Sequence, residues 1–126
     1  MSFSNTYETI VLQWTFTNGA VTRPTAWYIG LFTAAPGEAG GGTEVSGGSY
    51  ARKAVTFTVS GNLATNSAAV EFDVATATWG TITHVAVFDA VTGGNQIAYA
   101  ALTASKTIDT GDVLRVPAGD LDITLD

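Results

Sequence analysis

WYIGLFTAAPGEAGGGTEVSGGSYARKAV, residues Trp27 to Val55, decides how the rest of the chain is read. It opens with an apolar strand, Trp27–Thr33, in which Trp27, Ile29 and Leu31 alternate with Tyr28, Gly30 and Phe32. Both faces are apolar, the pattern of a central strand covered on both sides. Gly30 predicts the close approach of another element, such as an N-terminal helix. The strand breaks at Pro36-Gly37, passes through Gly40-Gly41-Gly42 and Gly47-Gly48, and regains order at Tyr50 before a second strand near Ala54. Thr43-Glu44-Val45 fits a short edge strand between the two glycine clusters. Connections in compact domains are mostly about 4–6 residues long. The arch Ala34–Gly48 is therefore expected to meet something outside its own domain.

Upstream, Asn5-Thr6-Tyr7-Glu8 reads as a capping box with Asn5 as the N-cap. Tyr7, Ile10, Val11 and Trp14 then fall on one helical face, and Asn18-Gly19 supplies a left-handed stop. This predicts a helix over about residues 5–18 whose apolar stripe packs on the sheet or on a neighbouring copy. Downstream, Val55, Phe57 and Val59 form one alternating strand, and Ala68, Val70, Phe72 and Val74 another; the two are expected to neighbour one another across Gly61-Asn62. Thr81–Asp89 and Gln96–Leu102 flank Gly93-Gly94, a hairpin signal. Short strands are also expected over Lys106–Asp109 and Val113–Val116. A last one has Leu121, Ile123 and Leu125 facing in and Asp122, Thr124 and Asp126 facing water. The fold class is mainly β: an antiparallel β-sandwich of about eight short strands, jelly-roll or Ig-like, with one N-terminal α-helix. Residues 1–126 are expected to form a single domain.

Composition narrows the function. Hydrophobic residues are 46% and charged residues 13%, too apolar for a disordered chain. The net charge is −6, and five scattered cations (Arg23, Arg52, Lys53, Lys106, Arg115) make no basic patch, so nucleic acid is not an expected partner. The acidic balance also disfavours anionic membranes. No run approaches the roughly 18 apolar residues of a membrane span, and the N-terminus MSFSNTYE shows no signal peptide. There is no cysteine, which removes disulfides and thiolate metal sites.

Catalytic motifs are missing where they would be needed. His84 is the only histidine, on or beside the Ile82/Ala86/Phe88 face, and reads as a packed structural residue. The glycine arch has no following Gly-Lys-Ser/Thr and no G-x-G-x-x-G, so it is not a phosphate loop. Asp122 and Asp126 share a strand face rather than opposing each other across a cleft, as glycoside hydrolysis requires. Asp109 and Asp112 could offer oxygen ligands to calcium, but without EF-hand spacing. Arg52-Lys53 reads as a charged strand start that deters edge pairing. Trp27, Tyr28 and Trp79 read as core aromatics before they read as a sugar-stacking platform. No cofactor, metal or catalytic residue is expected.

Three segments carry a family resemblance: LFTAAPGEAGGGTEVSGGSYARKAVTF (Leu31–Phe57), WGTITHVAVFDAVTGGN (Trp79–Asn95) and GDVLRVPAGDLDITLD (Gly111–Asp126). E-V-S-G-G-x-Y-A-R at Glu44–Arg52 and W-G-x-I-T-H at Trp79–His84 are the most specific parts. The chain resembles the small tail-fibre-like proteins of tailed bacteriophages and prophages, a size class that also includes head decoration (cement) proteins. The resemblance implies a non-enzymatic structural component, made in the host cytoplasm, displayed on the virion surface and contacting capsid or tail subunits.

Symmetric homo-oligomers are the rule for such parts, and a trimer is expected. Candidate subunit contacts are Tyr7, Val11 and Trp14 on the helix, with Pro36, Glu38, Gly41, Glu44, Tyr50 and Arg52 on the arch. Within the arch, Ala34–Gly42 is expected to make contacts, with Gly40–Gly42 ordered only through a neighbouring subunit. Thr43–Arg52 is expected to be structural, anchored by Val45 and Tyr50. The alternative reading is a carbohydrate-binding host-recognition module, which requires an exposed flat ring from Trp27, Trp79 or Tyr50. A polysaccharide hydrolase is the third and weakest reading.

Overall fold

A computed structural model describes residues 1–125. Asp126, expected on the wet face of the last strand, lies outside the described residues. In chain order the elements are β1 (Ser2–Phe3), α1 (Asn5–Phe16), β2 (Trp27–Ala34), β3 (Thr43–Glu44), β4 (Lys53–Val55) and β5 (Phe57–Ser60). Then follow β6 (Leu63–Asn66), β7 (Val70–Glu71), β8 (Gly80–Phe88), β9 (Gln96–Ile108), β10 (Arg115–Val116) and β11 (Asp122–Thr124). The protein is mainly β, built of antiparallel sheets with one short helix.

The main sheet runs β1-β9-β8-β2, and β2 then pairs with both β3 and β4. Two smaller sheets, β5-β6-β11 and β7-β10, supply the opposing layer. Ile29, Leu31, Ile82 and Val85 of the main sheet pack with Val70, Phe72, Leu114 and Leu121. Val87 and Ala98 pack with Ile123, with Phe57 and Ala64 at the margin. This interior is the hydrophobic surface that drives folding, at about 1.5–3 kcal/mol per large side chain buried.

β2 is central, as its two apolar faces require, with Ile29 to Phe32 all buried. Gly30 does admit a close neighbour, but not the helix. A Cβ there would lie 2.9 Å from the Glu44 carboxylate and 3.0 Å from the Phe88 ring. The Gly93-Gly94 turn joins β8 to β9 as the sequence predicts.

Four local readings are corrected. Ser4, not Asn5, caps the helix: its hydroxyl accepts from the Tyr7 amide. Asn18-Gly19 is not a left-handed stop; the helix ends at Thr17 in extended geometry (φ −131°, ψ 164°), where the Thr17 hydroxyl donates to the Gln13 carbonyl. The apolar run Val55–Val59 is two strands, because the chain crosses from the main sheet to the second layer at Thr56. The partner of β5 is accordingly β6, and β7 pairs with β10 instead. Finally, the predicted strands 96–102 and 106–109 are one strand, β9. A bulge between Ile82 and His84 absorbs the irregularity, sending Ile82 into the core while His84 faces out beside Phe32.

Candidate functional site

The E-V-S-G-G-x-Y-A-R segment folds as a closed staple. Gly47, Gly48 and Ser49 all take positive φ (76°, 58° and 65°), which reverses the chain and returns Tyr50 and Arg52 alongside Glu44. Gly48 is obligatory there: a Cβ would meet the Ala77 carbonyl at 2.9 Å and the Trp79 ring at 3.0 Å. The Gly48 carbonyl accepts from Trp79 Nε1 at 2.9 Å and from the Thr76 amide at 3.0 Å. Tyr50 fills a gap in the main sheet. Where β2 passes from β3 to β4, the Leu31 amide donates to the Tyr50 hydroxyl at 2.9 Å, and that hydroxyl donates to Glu44 Oε2 at 2.6 Å. A buried amide that would otherwise be unpaired is thereby satisfied.

Arg52 forms a two-pronged pair with Glu44, Nε to Oε2 and Nη2 to Oε1, both at 2.8 Å. Its Nη1 donates to the Ala90 and Gly93 carbonyls at 3.0 and 2.8 Å. The guanidinium lies 3.5 Å over the Phe88 ring, which itself stacks with Phe32. Burial alone would raise the Glu44 carboxyl. The hydrogen bonds from Arg52 and Tyr50, with the Arg52 charge, outweigh it and hold the group below the ordinary carboxylate range. Burial, then the Glu44 hydrogen bond, raises the Tyr50 phenol.

A cleft of about 360 Å³ opens above this staple, rimmed by Thr6, Glu38, Gly40 to Gly42 and Asn95. The contact loop is held by its own chain. Gly37 and Gly40 exchange two backbone hydrogen bonds, the Asn5 amide donates to the Glu38 carbonyl, and Gln96 Nε2 donates to the Gly37 carbonyl. Gly40, the first residue of the segment expected to await a neighbour, is thus bonded within its own chain. Chemically the cleft is a hydrogen-bonding surface. Four of the five Arg52 donors are already spent, and His84 bonds Thr83 outside the lining.

The sequence-predicted contacts fall into two groups. Glu38, Gly41, Glu44 and Arg52 line one cleft, with Tyr50 bonded beneath them and Pro36 buried. Tyr7, Val11 and Trp14 share a helical face, yet only Tyr7 is buried, Val11 is half-buried and Trp14 is 66% exposed. Tyr7 fixes the first turn by donating to Asp89 Oδ2 at 3.0 Å; burial, then that hydrogen bond, pushes its phenol up to about 12. Ile10 still packs against the core, and past it Leu12 is 57% and Phe16 78% exposed. Sequence reasoning missed Leu12 and Phe16 because it followed the single stripe facing the sheet. The signal was present: from Thr9 to Thr22 the chain carries no charge.

The trio Trp27, Trp79 and Tyr50 offers no flat exposed platform. Trp79 is buried edge-on to Tyr50 and Phe72, Tyr50 is hydrogen-bonded at both ends, and Trp27 packs against the core. Among the described residues no three His, Cys, Asp or Glu side chains converge as metal ligands. In Asp109–Asp112 the Asp112 carboxylate accepts from the Asp109 amide at 2.9 Å, closing the turn.

A mainly-β domain with a self-satisfied loop and an uncovered apolar helix end has the features of a structural subunit. The family described as podophage GP4 fiber I protein gp80 matches residues 2–124 of the chain, which belongs to that family of phage fibre proteins. No curated protein matches it.

Proposed function

We propose that the chain is a non-enzymatic structural subunit displayed on the surface of a tailed-phage virion, as a tail-fibre component or a capsid-decorating protein, and that it works as a homo-oligomer in contact with other virion proteins. Membership of a fibre family supports the virion role. The observation that carries the assembly role is the helix end: Leu12, Trp14 and Phe16 stand in water within Thr9 to Thr22, a stretch without a charged residue. Large apolar side chains exposed together mark a contact surface. Multivalent display suits such a subunit, since weak contacts sum when copies are held together.

The glycan-binding reading is not favoured, because its three candidate rings are packed or hydrogen-bonded inside the domain. Imaging intact virions labelled at the C-terminus of this chain tests the placement. Label on the tail is the expected result. Label on neither tail nor shell would overturn the proposal, and label on the icosahedral shell would replace the fibre role by decoration.

A further inference from the structure

Asn18-Gly19 has no structural task in the fold. The pair follows the helix cap Thr17, in the connector 17–26 that carries neither helix nor strand. Neither residue takes the positive φ that a left-handed stop needs, and both are exposed. The other asparagines are held differently. Asn5 lies in the first turn of α1. The side-chain amide of Asn62 donates to the Leu125 carbonyl at 2.8 Å, and that of Asn95 to the Asp89 carboxylate at 3.1 Å. Asn66 donates to the Ala68 and Pro117 carbonyls at 3.0 and 2.9 Å. Asn5, Asn62, Asn66 and Asn95 are followed by Thr, Leu, Ser and Gln, so Asn18 alone precedes a glycine.

That sequence is chemically able to modify itself. The Gly19 backbone nitrogen attacks the Asn18 side-chain carbonyl carbon, Cγ. A bond forms between them, the Cγ–Nδ2 bond breaks, and ammonia leaves with the proton given up by the Gly19 amide. Water then opens the resulting succinimide at either carbonyl, yielding aspartate or isoaspartate. The net change is amide plus water to acid plus ammonia, with no oxidant or reductant. Ring closure needs backbone freedom and an unhindered nitrogen, and glycine supplies both. Nothing around the site obstructs the ring: a Cβ at Gly19 would have only the Thr17 hydroxyl near it, at 3.5 Å. The Gly19 amide that must lose its proton is held only by a 3.3 Å bond to that hydroxyl, longer than the usual distance of about 2.9–3.0 Å.

We infer that Asn18-Gly19 is a self-modification site, and that its product sets a carboxylate at the uncharged end of the helix. Either product takes the net charge from −6 one unit more negative and puts the first charge into Thr9–Thr22. A negative charge just past a helix C-terminus opposes the helix dipole, and α1 has no basic residue in its last turn to offset it. Leu12, Trp14 and Phe16 stand exposed in the same stretch. A converted chain therefore presents its apolar side chains beside a charge that is costly to bury. This consequence for assembly rests on the role proposed above; the modification itself does not.

Peptide mapping of the purified full chain, after incubation in mildly alkaline buffer, tests the site. Asn18 should convert many-fold faster than Asn5, Asn62, Asn66 or Asn95, with isoaspartate among the products. Hydroxylamine should cut the chain between Asn18 and Gly19. Gly19→Ala should slow the conversion many-fold; the open space around Gly19 lets this variant keep its fold, which circular dichroism verifies. Asn18 left intact while a free peptide of residues 15–21 converts would overturn the site, as would conversion no faster than at the other asparagines. For the consequence, Asn18→Asp should enter particles several-fold less well than the natural chain, and Asn18→Gln should match it. Equal incorporation of all three would overturn the effect on assembly. Because the mapping uses free chains, its failure removes the modification while virion labelling still decides the particle role.

Discussion

The arch and the helix end are opposites. The arch is glycine-rich, long and polar, yet nearly every polar group in its second half is spent within the chain: Arg52 on Glu44 and two carbonyls, Tyr50 on Glu44 and Leu31, Gly48 on Trp79. The helix end is regular secondary structure and should look finished, yet its large side chains have nothing to cover them. Irregular backbone and unsatisfied surface therefore fall in different places in this molecule. Unsatisfied surface is the better guide to contacts, because an exposed Trp or Phe costs free energy until something buries it.

The contrast can be broken most forcefully at Arg52. Arg52→Ala leaves Glu44 charged and partly buried without its partner and strips the cover from Phe88. It should cost about 3 kcal/mol, the low end for breaking a buried ion pair, read by urea denaturation of the free chain. A loss under about 0.5 kcal/mol, the level of an ordinary surface change, would mean the staple is ornamental. Gly48→Ala comes next. It forces a side chain into positive φ (58°) and against Trp79, and should cost about 1–3 kcal/mol, with loss of the near-ultraviolet signal of the packed indole.

Acid sharpens the same point. The Glu44 carboxyl is held below its ordinary value of 4.5. A depressed carboxyl contributes stability that is complete above the ordinary pKa and lost as pH falls through the folded one. Stability measured downward from pH 4.5 should therefore fall in the natural chain. The fall should be shallower in Glu44→Gln, which has no carboxylate to protonate, with Asp89 supplying part of the remaining slope because it too is depressed. Equal slopes in the two proteins would remove Glu44 from the acid response.

The smallest effect on stability belongs to the helix end. Leu12→Gln/Phe16→Gln should change the unfolding free energy of the free chain by less than about 0.5 kcal/mol, since neither side chain is buried and glutamine is a good helix former. Incorporation into particles should nevertheless collapse. A large loss of chain stability from these substitutions would show the helix end to be part of the core after all.

The β class, the helix, the central strand and the Gly93-Gly94 hairpin were legible in sequence because periodicity and turn chemistry act locally. The boundaries that failed depend on partners far along the chain. Nothing within Val55–Val59 says that Val55 pairs with Trp27 while Val59 pairs with Ala64. Ser4 was passed over as the cap because Asn5 with Glu8 matches the local pattern; Ser4 also donates to the Gln96 carbonyl, a contact no local pattern contains. Spacing brings Glu44, Tyr50 and Arg52 to attention, but that they bond one another follows from the positive-φ reversal at Gly47–Ser49, which no local pattern encodes. Spacing places the helix stripe on one face; that Tyr7 at its start is buried while Trp14 at its far end stands in water is a matter of helix placement, which periodicity does not encode.

Hydroxyl-radical footprinting of the free chain and of intact virions sets the two regions side by side most directly. Leu12, Trp14 and Phe16 should be oxidised readily in the free chain and be protected several-fold in the virion, while labelling of the arch from Thr43 to Arg52 stays the same in both. Equal labelling of the helix in the two states, with new protection falling on the arch instead, would contradict the account.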